Sequence, residues 1–143
     1  MKKSLLLAFW ALVGSFFFIL SEFFISAVRE LFRGSELFLL PLIIFFLLGI
    51  LLIFLTLKKK VEGVLKKFLL LTGASATGFF FFVFLHNAFY ALGTITSYIT
   101  VLNYLIEVFH IVFFIIAIFV CPLGFLVGAG GTIVLFFKKR NRF

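Results

Sequence analysis

Apolar residues run almost without interruption through four stretches of this chain, residues 4–28, 37–57, 68–92 and 104–137, and most charged residues are confined to the gaps between them. A hydrocarbon core of about 30 Å is crossed by about 20 helical residues, a length that each stretch reaches and the last exceeds. Each predicts a transmembrane helix, because a chain in hydrocarbon must satisfy its own backbone hydrogen bonds. The fold class is therefore all-α integral membrane: a four-transmembrane-helix bundle forming one domain over residues 1–143. Pro41 falls in the first turn of the second helix, where a missing N–H is tolerated. Pro122 lies deep within the fourth and removes a bond to the carbonyl four residues earlier, which predicts a kink near Pro122.

Faces say more than runs. Steps of three and four residues through the first span gather Ser4, Ala8, Ala11, Ser15, Phe18, Glu22, Ser26 and Arg29 on one side. The same walk through the fourth gathers Asn103, Glu107, His110, Phe114, Ala117, Cys121, Gly124, Gly128 and Gly131. In the third span the comparable line is Thr72, Ala76, Phe79, Val83, His86, Tyr90 and Gly93, with Asn87 one step round. Lipid tails give helices no hydrophobic reason to associate, so small and polar stripes predict where backbones approach. Gly124, Gly128 and Gly131 are the expected close-packing positions, against another helix of the chain or a second copy. The second span, relieved only by Gly49 and Thr56, is expected to be the most lipid-exposed.

Composition agrees with the spans, at 65% hydrophobic and 13% charged. Placement of the charge gives orientation. Lys2 and Lys3, then Lys58, Lys59, Lys60, Lys66 and Lys67, then Lys138, Lys139, Arg140 and Arg142 all fall on one side of the predicted topology. The other side has Arg29, Glu30, Arg33 and Glu36, which cancel, with Gly34-Ser35 as a turn, and the uncharged segment 93–103. Positive-inside bias then places both termini in the cytoplasm of a multi-pass cell-membrane protein. The net charge of +8 is thereby assigned to anionic lipids at the cytoplasmic face and not to nucleic acid. The basic and then apolar start resembles a signal peptide, but its apolar stretch is too long and no small-residue cleavage site ends it, so an uncleaved anchor is expected. Cys121, the only cysteine, permits no intrachain disulfide and reads as a packing residue.

Ionisable groups inside spans are costly and usually mark function. Glu22 and His86 each follow a lysine, Lys3 and Lys67, by nineteen residues. Two parallel helices would therefore carry them to one depth, about 28 Å above the inner lysines. Glu107 and His110, one turn apart on one face, join them from the fourth helix only if that helix tilts or bends. Two His and two Glu suit one divalent metal such as Zn, Fe or Mn, and a Glu-x-x-His spacing can ligate. The two histidines alone would suit a haem. Against both stands plain interhelical hydrogen bonding among Glu22, His86, Glu107, His110, Asn87, Tyr90 and Asn103. No aspartate, phosphate loop, nucleophile elbow or HExxH is present, so soluble-type hydrolase and nucleotide chemistry lack their parts. The reading is a small non-enzymatic membrane protein, a homo-oligomer or an accessory subunit of a larger complex, with an outer-leaflet polar pocket for a proton or divalent cation. Its rival is a metal- or haem-binding redox protein or enzyme that uses the same residues.

Overall fold

The computed structural model describes residues 3–32, 34, 36–96, 98 and 100–140, and within these it contains helices and turns and no strand. Lys2, Arg33, Ser35 and Arg142, used in the charge and turn arguments, lie outside the described residues. The helices are α1 (Lys3–Phe24), α2 (Ser26–Phe32), α3 (Leu40–Lys58), α4 (Gly63–Ile95), α5 (Thr100–Ile115) and α6 (Cys121–Arg140). A 3-10 turn, Glu36–Leu39, leads into α3, and a π-helical segment, Ile116–Val120, joins α5 to α6. Four helical stretches are long and apolar enough to cross a membrane: α1, α3, α4 and the continuous run Thr100–Lys138.

The first apolar run is shorter as a helix than its composition suggests. Ile25 interrupts it, and the amphiphilic residues beyond form α2. Pro41 sits in the first turn of α3, as its chemistry requires. The α3–α4 connection is a tight turn in which Lys60 and Gly63 have φ of 48° and 68°, left-handed values that Gly63 adopts without strain. The ammonium of Lys59 donates to the Ser4 hydroxyl, which ties the end of α3 to the start of α1. At Pro122 the backbone takes up a wider hydrogen-bond register: the Cys121 N–H bonds to the carbonyl of Ile116 at the end of the π-helical segment.

Helix α4 is the hub, packed against α3, α6 and α5. Its residues 72–78, Thr-Gly-Ala-Ser-Ala-Thr-Gly, are all small and serve two neighbours. Toward α3, a Cβ placed on Gly73 would lie 2.9 Å from the Gly49 carbonyl oxygen, so the two backbones touch. Toward α6, a Cβ on Gly128 would lie 2.7 Å from the Thr72 amide nitrogen, and one on Gly124 would lie 2.5 Å from the Ser75 hydroxyl. Farther down the same seam, Gly131 accommodates the Phe68 ring.

Two expectations are overturned here. Helix α3 is not the most lipid-exposed span: it lies against both α1 and α4 and buries Leu42, Phe45, Gly49, Leu52 and Thr56, whereas the run Thr100–Lys138 is the least covered. One glycine at a crossing outweighs a featureless surroundings of Leu and Ile. In α1 the buried face is Leu5, Phe9, Leu12, Val13, Phe16 and Ile19, with Ala8 and Glu22 at its edge, and Ala11, Phe18 and Ser26 of the small stripe are exposed. Rings are the reason, since Phe9 meets Phe136 and Phe16 stacks on Phe125 at 4.4 Å.

Length sets the overall layout. At about 1.5 Å per residue, α1 and α3 extend about 33 and 28 Å, one bilayer core, whereas α4 extends about 50 Å. The buried residues of α4 all fall between Leu69 and Ala76, and α5 buries only Ile106. The far half of α4 and all of α5 thus form an antiparallel hairpin that outruns the other helices. The uncharged segment 93–103 is mostly helix, with α4 persisting to Ile95 and α5 starting at Thr100.

Candidate functional site

The polar groups of interest sit on the hairpin. Spacings of four and three residues put Asn103, Glu107 and His110 on one face of α5, opposite His86, Tyr90 and Gly93 of α4. Gly93 sets the approach near the tip: a Cβ there would lie 3.4 Å from the Ile106 side chain and 3.7 Å from Asn103 Oδ1. One turn deeper, the His86 and His110 rings stack with centroids 4.1 Å apart and planes 21° apart. Phe114 and Tyr90 flank them at 5.1 and 5.4 Å.

The tautomer of His86 follows from its partner. His86 Nδ1 lies 3.1 Å from the His110 carbonyl oxygen. A carbonyl can only accept, so Nδ1 carries the proton and donates it, and in the neutral ring Nε2 is left with a lone pair. Asn87 is committed locally, with its Nδ2 donating to the Val83 carbonyl at 2.9 Å. Two hollows adjoin the pair. One, of about 280 Å³, is lined by Tyr90, Asn103, Glu107 and His110 among others. The second, of about 400 Å³, is lined by His86, Asn87, Tyr90, His110 and Phe114. Tyr90 and His110 belong to both, so the hollows form one groove along the hairpin.

The four residues singled out by charge are not brought to one point. His86 and His110 touch, and Glu107 shares a hollow with His110. Glu22 lines neither hollow. It is 1% exposed on α1, and its Oε1 has no hydrogen-bond partner among the described residues. Among the described residues no three His, Cys, Asp or Glu side chains gather closely enough to hold a metal ion. A haem between two imidazoles requires them on opposite faces of the macrocycle, and rings stacked at 4.1 Å leave no space for one. What the arrangement provides is a stacked imidazole pair with a carboxyl, an amide and a phenol along an open groove, suited to exchanging a proton or hydrogen-bonding a partner.

Two features escaped the sequence reading. The run at residues 72–78 was visible as seven small residues in a row, yet a search at helical spacing splits it between two faces. The π-helical segment before Cys121-Pro122 had only the proline as its signal. No protein-family model, curated protein or solved structure matches this chain.

Proposed function

We propose that this chain is a non-enzymatic, multi-pass cell-membrane protein that works within an oligomer or larger membrane complex, with the α4–α5 hairpin as its binding element. The observation that carries this reading is the polar content of the hairpin's uncovered surface. Glu107 and Asn87 are exposed and His86, Asn103 and His110 half-buried, on helices otherwise built of Phe, Leu, Ile and Val. Polar groups facing lipid tails are expensive, and a neighbouring helix that supplies hydrogen bonds removes the penalty. The groove beside His86 and His110 then exchanges a proton, or takes a divalent cation, from the side the partner covers. Lys59 joins the start of α1 and Phe136, beside Lys138, meets Phe9, so basic residues collect at the opposite end of the bundle. That supports a cytoplasmic location for both termini, against anionic headgroups.

Native mass spectrometry of protein extracted in a mild detergent tests the reading. The expected result is an oligomer or a complex that Glu107→Ala shifts toward free monomer. A parent protein that is monomeric throughout, and indifferent to that change, overturns it.

A further inference from the structure

A cavity of about 340 Å³ lies where α1, α3, α4 and the start of α6 converge. Its floor is made of Phe16, Phe45 and Phe125, all buried. Its mouth is bordered by Phe23, Phe24 and Ile118, which are exposed and so face whatever surrounds the spans. Among its lining residues only Ser75 and Cys121 carry a polar side-chain atom.

The void follows from how α1 is held. Helix α4 meets α3 and α6 through glycine and hydroxyl residues at backbone distance, but α1 meets α6 ring against ring, through Phe9–Phe136 and Phe16–Phe125. Rings keep α1 at a distance from α6. Past Phe125 no further ring pair between the two is formed among the described contacts, and the widened π-helical register at Ile116–Val120 leaves the gap open.

The geometry points to a binding site for one hydrocarbon tail of a membrane lipid, entering between α1 and the π-helical segment. Water is a poor occupant, since a buried water needs two to four polar partners. A charged ligand finds no counter-ion in the lining, and the Ser75 hydroxyl and Cys121 thiol are the only hydrogen-bonding side chains it offers. An apolar chain finds aromatic walls and a volume roughly twice that of the engineered cavity of about 150 Å³ that accepts benzene. The lining runs from Phe16 to Phe24 along α1, about 12 Å, close to the depth of one leaflet in a core of about 30 Å. The mouth opens within the spans, so acyl tails are the solvent at its edge and the headgroup stays outside.

The test uses full-length protein in phosphatidylcholine vesicles doped with a phosphatidylcholine whose acyl chain ends in a diazirine, illuminated and mapped by peptide mass spectrometry. Carbene adducts are expected on Phe16, Phe45 and Phe125, which bulk lipid does not reach. Leu20→Trp, filling the cavity from its lining, is expected to cut those adducts several-fold and leave adducts on exposed Phe84 and Phe119 unchanged. Ile118→Trp at the half-exposed mouth serves the same purpose should the first variant lose the parent's thermal transition. Adducts confined to lipid-facing residues overturn the proposal. So does interior labelling that neither tryptophan reduces, or protein–protein adducts at the three floor residues in place of lipid ones.

Discussion

Over residues 72–78, α4 meets α3 and α6 through residues without bulk; beyond Phe79, α4 meets α5 through His86–His110, Phe89–Phe109 and Phe89–Phe113. The inner contacts bring backbone to backbone, whereas the outer ones bring ring to ring and leave grooves between. In a bilayer, where burying a side chain among lipids or among helices is equally apolar, packing quality decides association. The inner half should therefore carry the stability of the bundle, and the hairpin should be free to respond to what binds it.

Glycine substitutions strain that contrast most. Gly128→Leu is expected to abolish the folded bundle, because the Thr72 amide and the Phe68 carbonyl block the new side chain at 2.7 and 3.0 Å and neither is a flexible end. Gly128→Ala should cost about 1–3 kcal/mol by overpacking. Gly130, two residues on, meets nothing within 4 Å of its added Cβ, and Gly130→Ala should stay within about 0.5 kcal/mol of the parent. Unfolding in mixed micelles measures all three, and equal losses at Gly128→Ala and Gly130→Ala would remove the argument for a seam.

Next in size is Phe125→Ala. Phe125 is 2% exposed and contacts the rings of Phe16 at 4.4 Å and Phe45 at 5.3 Å. In water such a truncation costs about 3–5 kcal/mol, but part of that is transfer from solvent, which lipid does not provide. The remaining cavity and dispersion loss should be about 2 kcal/mol by the same unfolding measurement. A loss equal to the aqueous value would show that water reaches this part of the unfolded chain.

How far the sequence led follows from what each signal measures. Run length picks out the four helical stretches long and apolar enough to cross a membrane, because a hydrocarbon core imposes that length. Wheel spacing puts Asn103, Glu107 and His110 on one face of α5, since periodicity is local. Relative depth is not local. Counting nineteen residues from Lys3 and from Lys67 assumes that both lysines begin their helices, but Lys3 opens α1 whereas Lys67 is already in the second turn of α4. Helix α1 then stops two residues after Glu22, and α4 continues nine beyond His86. The Gly49–Gly73 crossing was hidden for a related reason: a lone Gly49 makes no pattern within α3, and only its pairing with Gly73 of another helix gives it meaning.

Hydroxyl groups test the inner half more gently. Thr72 Oγ1 donates to the Phe68 carbonyl at 2.8 Å, but buried Thr132 Oγ1 has no partner among the described residues. Thr132→Val replaces an unpaired hydroxyl with a methyl group and should leave stability unchanged or raise it by up to about 1 kcal/mol. Thr72→Val should change it by less than about 0.5 kcal/mol, because the lost bond is to a carbonyl of its own helix that the backbone ladder already satisfies. A loss at Thr132→Val would indicate that this hydroxyl acquires a partner in the bilayer.

A comparably small global effect is expected at the hairpin itself, from His86→Phe. The new ring can keep the stack on His110 and Phe114, and only the Nδ1–H donation to the His110 carbonyl is lost. Because α5 buries only Ile106, that bond acts beside the ring contacts of Phe89 with Phe109 and Phe113 in holding the two helices together, without support from the inner seam. Global unfolding should then move by less than about 0.6 kcal/mol, whereas amide exchange should quicken over residues 81–115 and stay unchanged over residues 68–78. Exchange that quickens equally in both segments would mean that hairpin and seam open as one unit. The distinction between a rigid inner half and a responsive outer one would then fail, since a partner binding at Glu107 could not move the hairpin without loosening Gly49 from Gly73.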